Sequence, residues 1–433
     1  MTVESFTPQT RPLRGVVQVP GSKSSSNRAL VCAALALEPS VLTGVADGDD
    51  TKRMIAGLCA LGAEIEIAGN TVTVHRGIDR TDTTDVLIDA GLAGTTSRFL
   101  TAVAALRAGR TTVTGASGLQ RRPMNELHRL LRDIGATVTG ETAGHLPVTV
   151  SGSASSLAAV GSTSSDLRML AARGDVSSQF ISAIMMIAPL LGGVRVQLDG
   201  EVVSRGYLDM TAAVMREFGG AARIEHDSIV IDAGSYQGTK FAVEADWSSA
   251  SYPFAAVALA GGQVRVDGLH RSTTQPEQAF VSVLARMGCT VDVDDHGVTV
   301  SRSPQQALVG IDVDMSEMSD LVPTLAAIAC CATSASRIRG VGFIRAKESD
   351  RLGDLANELR ACGANVVVES DGLAITPATI TAATVNPHDD HRLALALSLL
   401  GLRQAGIVVD HATVVEKSWP QFWSAMRSGF QLA

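Results

Sequence analysis

Two hydrophobic patterns alternate along this chain. In the first, an amphipathic run ends on glycine and is followed by two short stretches of alternating apolar and polar residues around a polar turn. The pattern occurs in GLCALGAEIEIAGNTVTV at Gly62, LLRDIGATVTG at Gly135, VMREFGGAARIEHDSIVI at Gly219, VLARMGCTVDVDDHGVTV at Gly288 and ELRACGANVVVESDGLAI at Gly363. Each reads as a helix closed by a left-handed glycine and then a pair of strands. The glycines are 73, 84, 69 and 75 residues apart, the mark of a repeated supersecondary unit. A sixth copy, FWSAMRSGF with Gly429 a further 66 residues on, has no strands after it. Gly15–Val19 reads as a strand with no helix before it. The expectation is that this N-terminal segment completes the sixth unit, making one domain from both chain ends.

The second pattern is a set of six helices that are apolar nearly all round and therefore buried. They open near Ser22, Gly94, Ser177, Asp246, Asp320 and Asp390 on small polar or acidic residues. Ordinary N-caps account for the serines and aspartates, and Asp320 is equally legible as one. A cap does not require Lys23, Arg28, Arg98, Arg351 or Arg392 nearby. Each helix start also carries roughly half a positive charge and free amide donors. If the repeats pack symmetrically, these ends form a cavity for more than one anion.

Composition narrows the reading. Apolar residues make up 45% of the 433, which excludes disorder. Thirty-six basic against 44 acidic residues give a net charge of −8, and aromatics are 4%, a poor match to a nucleic-acid binder. Mean hydropathy is +0.20. Yet apolar stretches run about a dozen residues against the roughly 20 of a membrane span. No export signal is seen at the N-terminus, so the expected location is the cytoplasm. Cys32, Cys59, Cys289, Cys330, Cys331 and Cys362 show no metal-ligand spacing and read as small core residues.

The chemistry-bearing segments follow the helix starts. PGSKSSSNRAL lacks the spacing of a nucleotide P-loop but places Lys23 and Arg28 at a serine-rich start. GLAGTTSRF puts Gly94 where backbone and ligand can approach closely. RRPMNEL offers Arg121 and Arg122, one of them expected at the surface. RAKESDRL gathers Lys347, Glu348, Asp350 and Arg351, legible also as local surface pairs; DDHRLAL carries His391 and Arg392. Lys417, in VVEKSWPQF, reads in isolation as surface charge.

Together PGSKSSSNRA, LAGTTSRF, RRPM, SSQF, SRGYLDM, KESDRL, DDHRLAL and EKSWPQF resemble, in order and spacing, the 5-enolpyruvylshikimate-3-phosphate synthase family of enolpyruvyl transferases. The resemblance implies an α/β (α+β) protein, a two-domain inside-out α/β barrel. It would hold six βαβαββ repeats, three per domain around pseudo-threefold axes. Residues 1–20 plus 241–433 would form a discontinuous domain and 21–240 an inserted one, with the active site in the cleft and hinges near Pro20–Gly21 and Lys240–Phe241. The reaction it implies joins the 5-hydroxyl of shikimate 3-phosphate to carbon 2 of phosphoenolpyruvate and releases phosphate through a tetrahedral intermediate. No metal or organic cofactor, nucleic acid or membrane is expected, and the protein is expected to be a monomer.

Carried over residue by residue, Lys23, Ser24, Arg28, Ser177, Ser178, Gln179, Ser204, Tyr207, Asp320 and Lys347 hold shikimate 3-phosphate. Lys23, Gly94, Arg122, Gln179, Arg351, Arg392 and Lys417 hold phosphoenolpyruvate. Asp320 is the expected base for the hydroxyl and Glu348 the acid for carbon 3, with Lys23 beside them. Two departures stand out. Leu92 replaces the Asn usual in the glycine loop, and Phe343 replaces an Asn that touches the sugar phosphate, which argues against a polar role there. The sister transferase acting on UDP-N-acetylglucosamine carries a Cys before Arg-Pro; Gly115 to Pro123 has none. RNA 3′-phosphate cyclases share the repeat and need a nucleotidyl-accepting His; His391 is a candidate only formally, and the acidic balance argues against RNA. A non-catalytic phosphosugar-binding protein would not need Asp320 and Glu348.

Overall fold

Short strands pair here in one recurring order. Val86–Asp89 lies parallel to Thr111–Thr114, which pairs antiparallel with Val148–Ser151, which in turn pairs with Thr137–Gly140. The same first–second–fourth–third order holds in five four-stranded sheets. Alternation explains the facing: in Thr71–Arg76, Val72 and Val74 are buried and the residues between them are not. Helices ahead of the hairpins end at Gly62, Gly135, Gly219, Gly288 and Gly363, all with φ between 81° and 104°. Glycine alone adopts that geometry without a Cβ penalty.

The computed structural model describes residues 2–152 and 167–432. The chain divides into two compact units, Gly21–Val243 and Met1–Pro20 with Glu244–Ala433, each with its own apolar core. In Gly21–Val243 the helices Lys23–Ala34, Gly94–Ala104 and Ser178–Ile187 pack on one another with the sheets outside. In the other unit Trp247–Ala260, Val322–Ala329 and His391–Ser398, with its extension Leu399–Leu402, take that place. Helices inside and sheets outside make each unit an inside-out α/β barrel of three repeats.

Each unit borrows the first strand of its first repeat. Lys240–Ala242 pairs parallel with Ser40–Thr43, and the chain passes to the other unit only after Val243. Leu13–Val16 pairs parallel with Gly262–Asp267. The N-terminal strand therefore completes the fourth repeat, not the sixth as expected from sequence. The sixth keeps two strands, Ala383–Val385 and Ile407–Val409, with one antiparallel bridge from Glu4 to Val409. Gly429 is likewise not a helix terminator: it lies inside Phe422–Phe430, and Gln431 takes the left-handed end at φ 54°. Its role is proximity. A Cβ on Gly15 would stand 1.7 Å from the Gly429 carbonyl oxygen, so this strand and helix meet only as glycines.

Cys32, Cys289, Cys330 and Cys362 are buried, and desolvation pushes Cys32 up to about 12 and Cys289 and Cys362 to about 11. Cys59 is exposed, contrary to a core role, because it falls on the outer face of Asp49–Ala60. No helix among the described residues is long and apolar enough to cross a membrane.

Candidate active site

In Gly21–Val243 the helix starts gather cations. Ser22 caps Lys23–Ala34 by accepting the Ser25 amide, which presents Lys23 in the first turn. Lys23 Nζ lies 3.0 Å from Asp50, a carboxylate that is almost wholly buried. Arg28 is buried and donates to the Ser24 carbonyl at 2.9 Å and to Thr211 Oγ1 at 2.7 Å, with its guanidinium 5.7 Å from the Tyr207 ring centre. It thereby ties Ser24 and Tyr207 into one group. Ser177 caps Ser178–Ile187 by accepting the Gln179 amide. Ser178 is buried, and Arg98 donates to Gln179 Oε1. Ser204 is buried and left-handed at φ 55°.

Gly94 opens its helix with Arg122 against it. A Cβ there would fall 2.5 Å from Arg122 Nη1 and 2.8 Å from its Cζ. Arg121 is exposed and Arg122 buried, and Arg122 Nε has no hydrogen-bond partner among the described residues. A buried cation with spare donors beside a helix N-terminus suits an anion. The clash involves only the end of a flexible side chain, so Gly94→Ala folds normally but displaces the guanidinium. Its expected effect is a KM for the anion bound there raised about tenfold with kcat little changed, the signature of lost uniform binding. Steady-state kinetics check this; an unchanged KM would detach Gly94 and Arg122 from the anion.

The unit containing Glu244–Ala433 carries a denser constellation. Asp320 accepts from Arg351 Nη1 at 2.8 Å and from Arg392 Nη2 at 2.7 Å, and Lys347 Nζ is 3.5 Å away. Glu348 bridges Arg351 and Lys417, the latter at 2.6 Å. Asp390 caps His391–Ser398 through the Arg392 amide and accepts from Arg351 Nε at 2.6 Å. Three carboxylates thus face four cations, a net positive group with Arg351, Arg392 and Lys417 all buried. Burial alone would push the Asp320 carboxyl up; Arg392, Lys347 and Arg351 outweigh it and hold Asp320 well below the usual carboxylate range. Burial disfavours the Arg351 charge, but Asp390, Glu348 and Asp320 raise its pKa above the ordinary guanidinium value.

Several sequence readings change here. Asp320 is not an N-cap: it lies in the turn Ser319–Leu321, and its oxygens go to cations. RAKESDRL is more than a run of local pairs, because Arg351 reaches Asp320 and Asp390. Lys417 is not surface charge. Phe343 serves Lys347, whose Nζ is 5.8 Å from the ring centre, a cation–π contact in place of a polar one. Sequence reasoning gave no site role to Asp50 and Asp390, and counted Arg98 among the helix-start cations without assigning it to a substrate; these are the partners that orient Lys23, Arg351 and Gln179. Of these, only Asp390 and Arg98 carried a signal, their place at apolar helix starts. Glu348, Asp390 and His391 bring possible metal-ligand atoms within 4.8 Å of one another, but Arg351 already donates to both carboxylates.

The fold alone defines a class. EPSP synthase from Acinetobacter baumannii superposes with a TM-score of 0.80 at 24% identity, covering 99% of this chain and 98% of that one. The enolpyruvyl transferase NikO from Streptomyces tendae gives 0.75 at 19% identity, covering 100% and 97%. This is the enolpyruvyl transferase fold. Sequence then narrows it: residues 8–426 match the family EPSP synthase (3-phosphoshikimate 1-carboxyvinyltransferase). The 3-phosphoshikimate 1-carboxyvinyltransferase of Methanoculleus marisnigri is 40% identical over 96% of this chain and 97% of its own. That of a Shewanella species is 35% identical over 96% and 97%. The chain belongs to the EPSP synthase (3-phosphoshikimate 1-carboxyvinyltransferase) family and is a transferase of aromatic amino acid biosynthesis.

Proposed function

We propose that the chain transfers the enolpyruvyl group of phosphoenolpyruvate to the 5-hydroxyl of shikimate 3-phosphate by addition and elimination. The observation that carries this reading is the pair Asp320 and Glu348, both bonded to Arg351 within a cluster of four cations. Binding alone would not need two carboxylates among the cations that attract anions.

Lys23, Ser24, Arg28, Ser177, Ser178, Gln179, Ser204 and Tyr207 hold shikimate 3-phosphate, with Lys347 and Asp320 at its ring. Lys23, Arg122, Gln179, Arg351, Arg392 and Lys417 clamp phosphoenolpyruvate, with Gly94 leaving room. Bidentate guanidiniums suit its carboxylate and phosphate. These anions compete with Asp320 for Arg351 and Arg392. Binding therefore weakens the attraction that depresses the Asp320 pKa and moves it toward the range a base needs. Asp320 takes the proton of the 5-hydroxyl as its oxygen bonds to carbon 2, and Glu348 protonates carbon 3. Scission of the bond from carbon 2 to the phosphate oxygen, with one carbon 3 proton returning to Glu348 and the proton held by Asp320 passing to the leaving phosphate, then restores the double bond and releases phosphate. No metal or organic cofactor takes part. The same reading makes the enzyme a cytoplasmic monomer, which sedimentation of the purified chain tests in part.

Phosphate release from phosphoenolpyruvate, measured with each acceptor separately, tests the assignment. Release is expected with shikimate 3-phosphate and not with UDP-N-acetylglucosamine; the reverse would overturn it.

A further inference from the structure

Asp390 fixes both arginines of the second constellation. Its carboxylate accepts from Arg351 Nε at 2.6 Å and from the Arg392 backbone amide at 2.9 Å. The chain reaches Asp390 through costly geometry. His388 and Asp389 are both left-handed, at φ 52° and 57°, and neither is glycine. Such residues persist only where their surroundings over-determine them.

Glu358 supplies the determination. One of its oxygens accepts the Asn386 amide at 2.9 Å, and the other contacts His388 Nε2 at 2.8 Å. Within the turn, Asn386 Oδ1 accepts the His388 amide at 2.8 Å and the Pro387 carbonyl accepts the Asp390 amide at 2.8 Å. His388 Nδ1 also faces Asp354, at 4.0 Å. Glu358 stands on Gly353–Ala361, the helix that follows Arg351 directly. The two segments are therefore joined twice, at the site by Arg351 and Asp390 and along the helix by Glu358 and His388.

We propose that Glu358 and His388 are positioning residues, a latch that holds the left-handed turn and so sets Asp390, and through it Arg351 and Arg392, for phosphoenolpyruvate. The inference rests on reading those arginines as the phosphoenolpyruvate clamp. Neither latch residue takes part in a proton transfer. The effect belongs in substrate binding, because a displaced guanidinium loses its bidentate geometry before it loses its charge.

The test uses the full chain with three changes. His388→Gly tolerates the left-handed φ and removes only the ring. Glu358→Gln keeps the shape and loses one acceptor oxygen, and His388→Gln retains a side-chain donor. The first two are each expected to raise the KM for phosphoenolpyruvate about tenfold, the scale of a small misplacement of a positioning group. kcat and Tm should stay near those of the parent, and His388→Gln should restore most of the binding. The double variant His388→Gly with Glu358→Gln should be no worse than either single change, since both break one contact. An unchanged KM in both single variants, additive effects in the double, or a fall in Tm and kcat without a change in KM would each overturn the latch. Arg351→Lys and Arg392→Lys, run alongside, separate the two levels. If they leave KM unchanged the clamp itself is wrong; if they raise it and the latch variants do not, only the latch is.

Discussion

Asp320→Asn is expected to fold and to bind phosphoenolpyruvate at least as tightly as the parent, but to turn over about a thousandfold more slowly, within the range that loss of a general base produces. Asparagine keeps the shape but only one acceptor oxygen: it can still accept from one of Arg351 and Arg392, while its NH2 takes the place of the oxygen that faces the other. It cannot take the hydroxyl proton. Affinity rises or holds because the carboxylate no longer competes with substrate anions for the two guanidiniums. Parallel measurement of kcat and of the phosphoenolpyruvate Kd checks this; wild-type turnover would remove Asp320 from the chemistry. The same variant should respond differently to acid. The folded-state pKa of Asp320 is depressed, so its contribution to stability is present above the unfolded value near about 4 and is lost as pH falls toward the folded one. Melting curves at successively lower pH should therefore fall less steeply for Asp320→Asn than for the parent.

Glu348→Gln is expected to give a comparable loss of turnover through the other proton transfer, about a hundredfold or more. Glu348 is bonded to Arg351 and Lys417, and both cations remain buried when it is neutralised. Leaving them short of a carboxylate makes the site more attractive to anions, so phosphoenolpyruvate binds as tightly or more so. Exchange separates this variant from Asp320→Asn. Glu348→Gln should slow incorporation of solvent deuterium at carbon 3 in step with turnover. Unimpaired exchange would assign the acid elsewhere.

Much of this was legible in the sequence, and for a local reason. The hairpin repeats, the left-handed glycines and the six apolar helix starts depend on periodicity and backbone preference over windows of about 15 residues, the scale at which such signals act. All six helices open within a few residues of their expected starts. The motif residues Lys23, Gly94, Arg122, Glu348, Arg351 and Arg392 lie at or beside those starts. Gly429 misled because a helix ending in glycine looks the same whether the glycine terminates it or lets a strand pass.

What stayed out of reach was decided by pairing across long stretches of chain. Strand alternation shows that Leu13–Val16 pairs with something, but only its parallel pairing with Gly262–Asp267 assigns it to the fourth repeat. The overall charge of −8 is an average that hides the cluster of cations around Arg351. The sequence by itself determined the repeat, the buried helices and the residue types at their starts, because those follow from local geometry. Tertiary structure decided which carboxylate meets which cation. Asp320 and Arg392 are 72 residues apart, Arg28 and Thr211 183, and no periodicity along the chain specifies contacts of that range. Those partners, and the burial that strengthens each ion pair, gather charged residues scattered along the chain into one constellation.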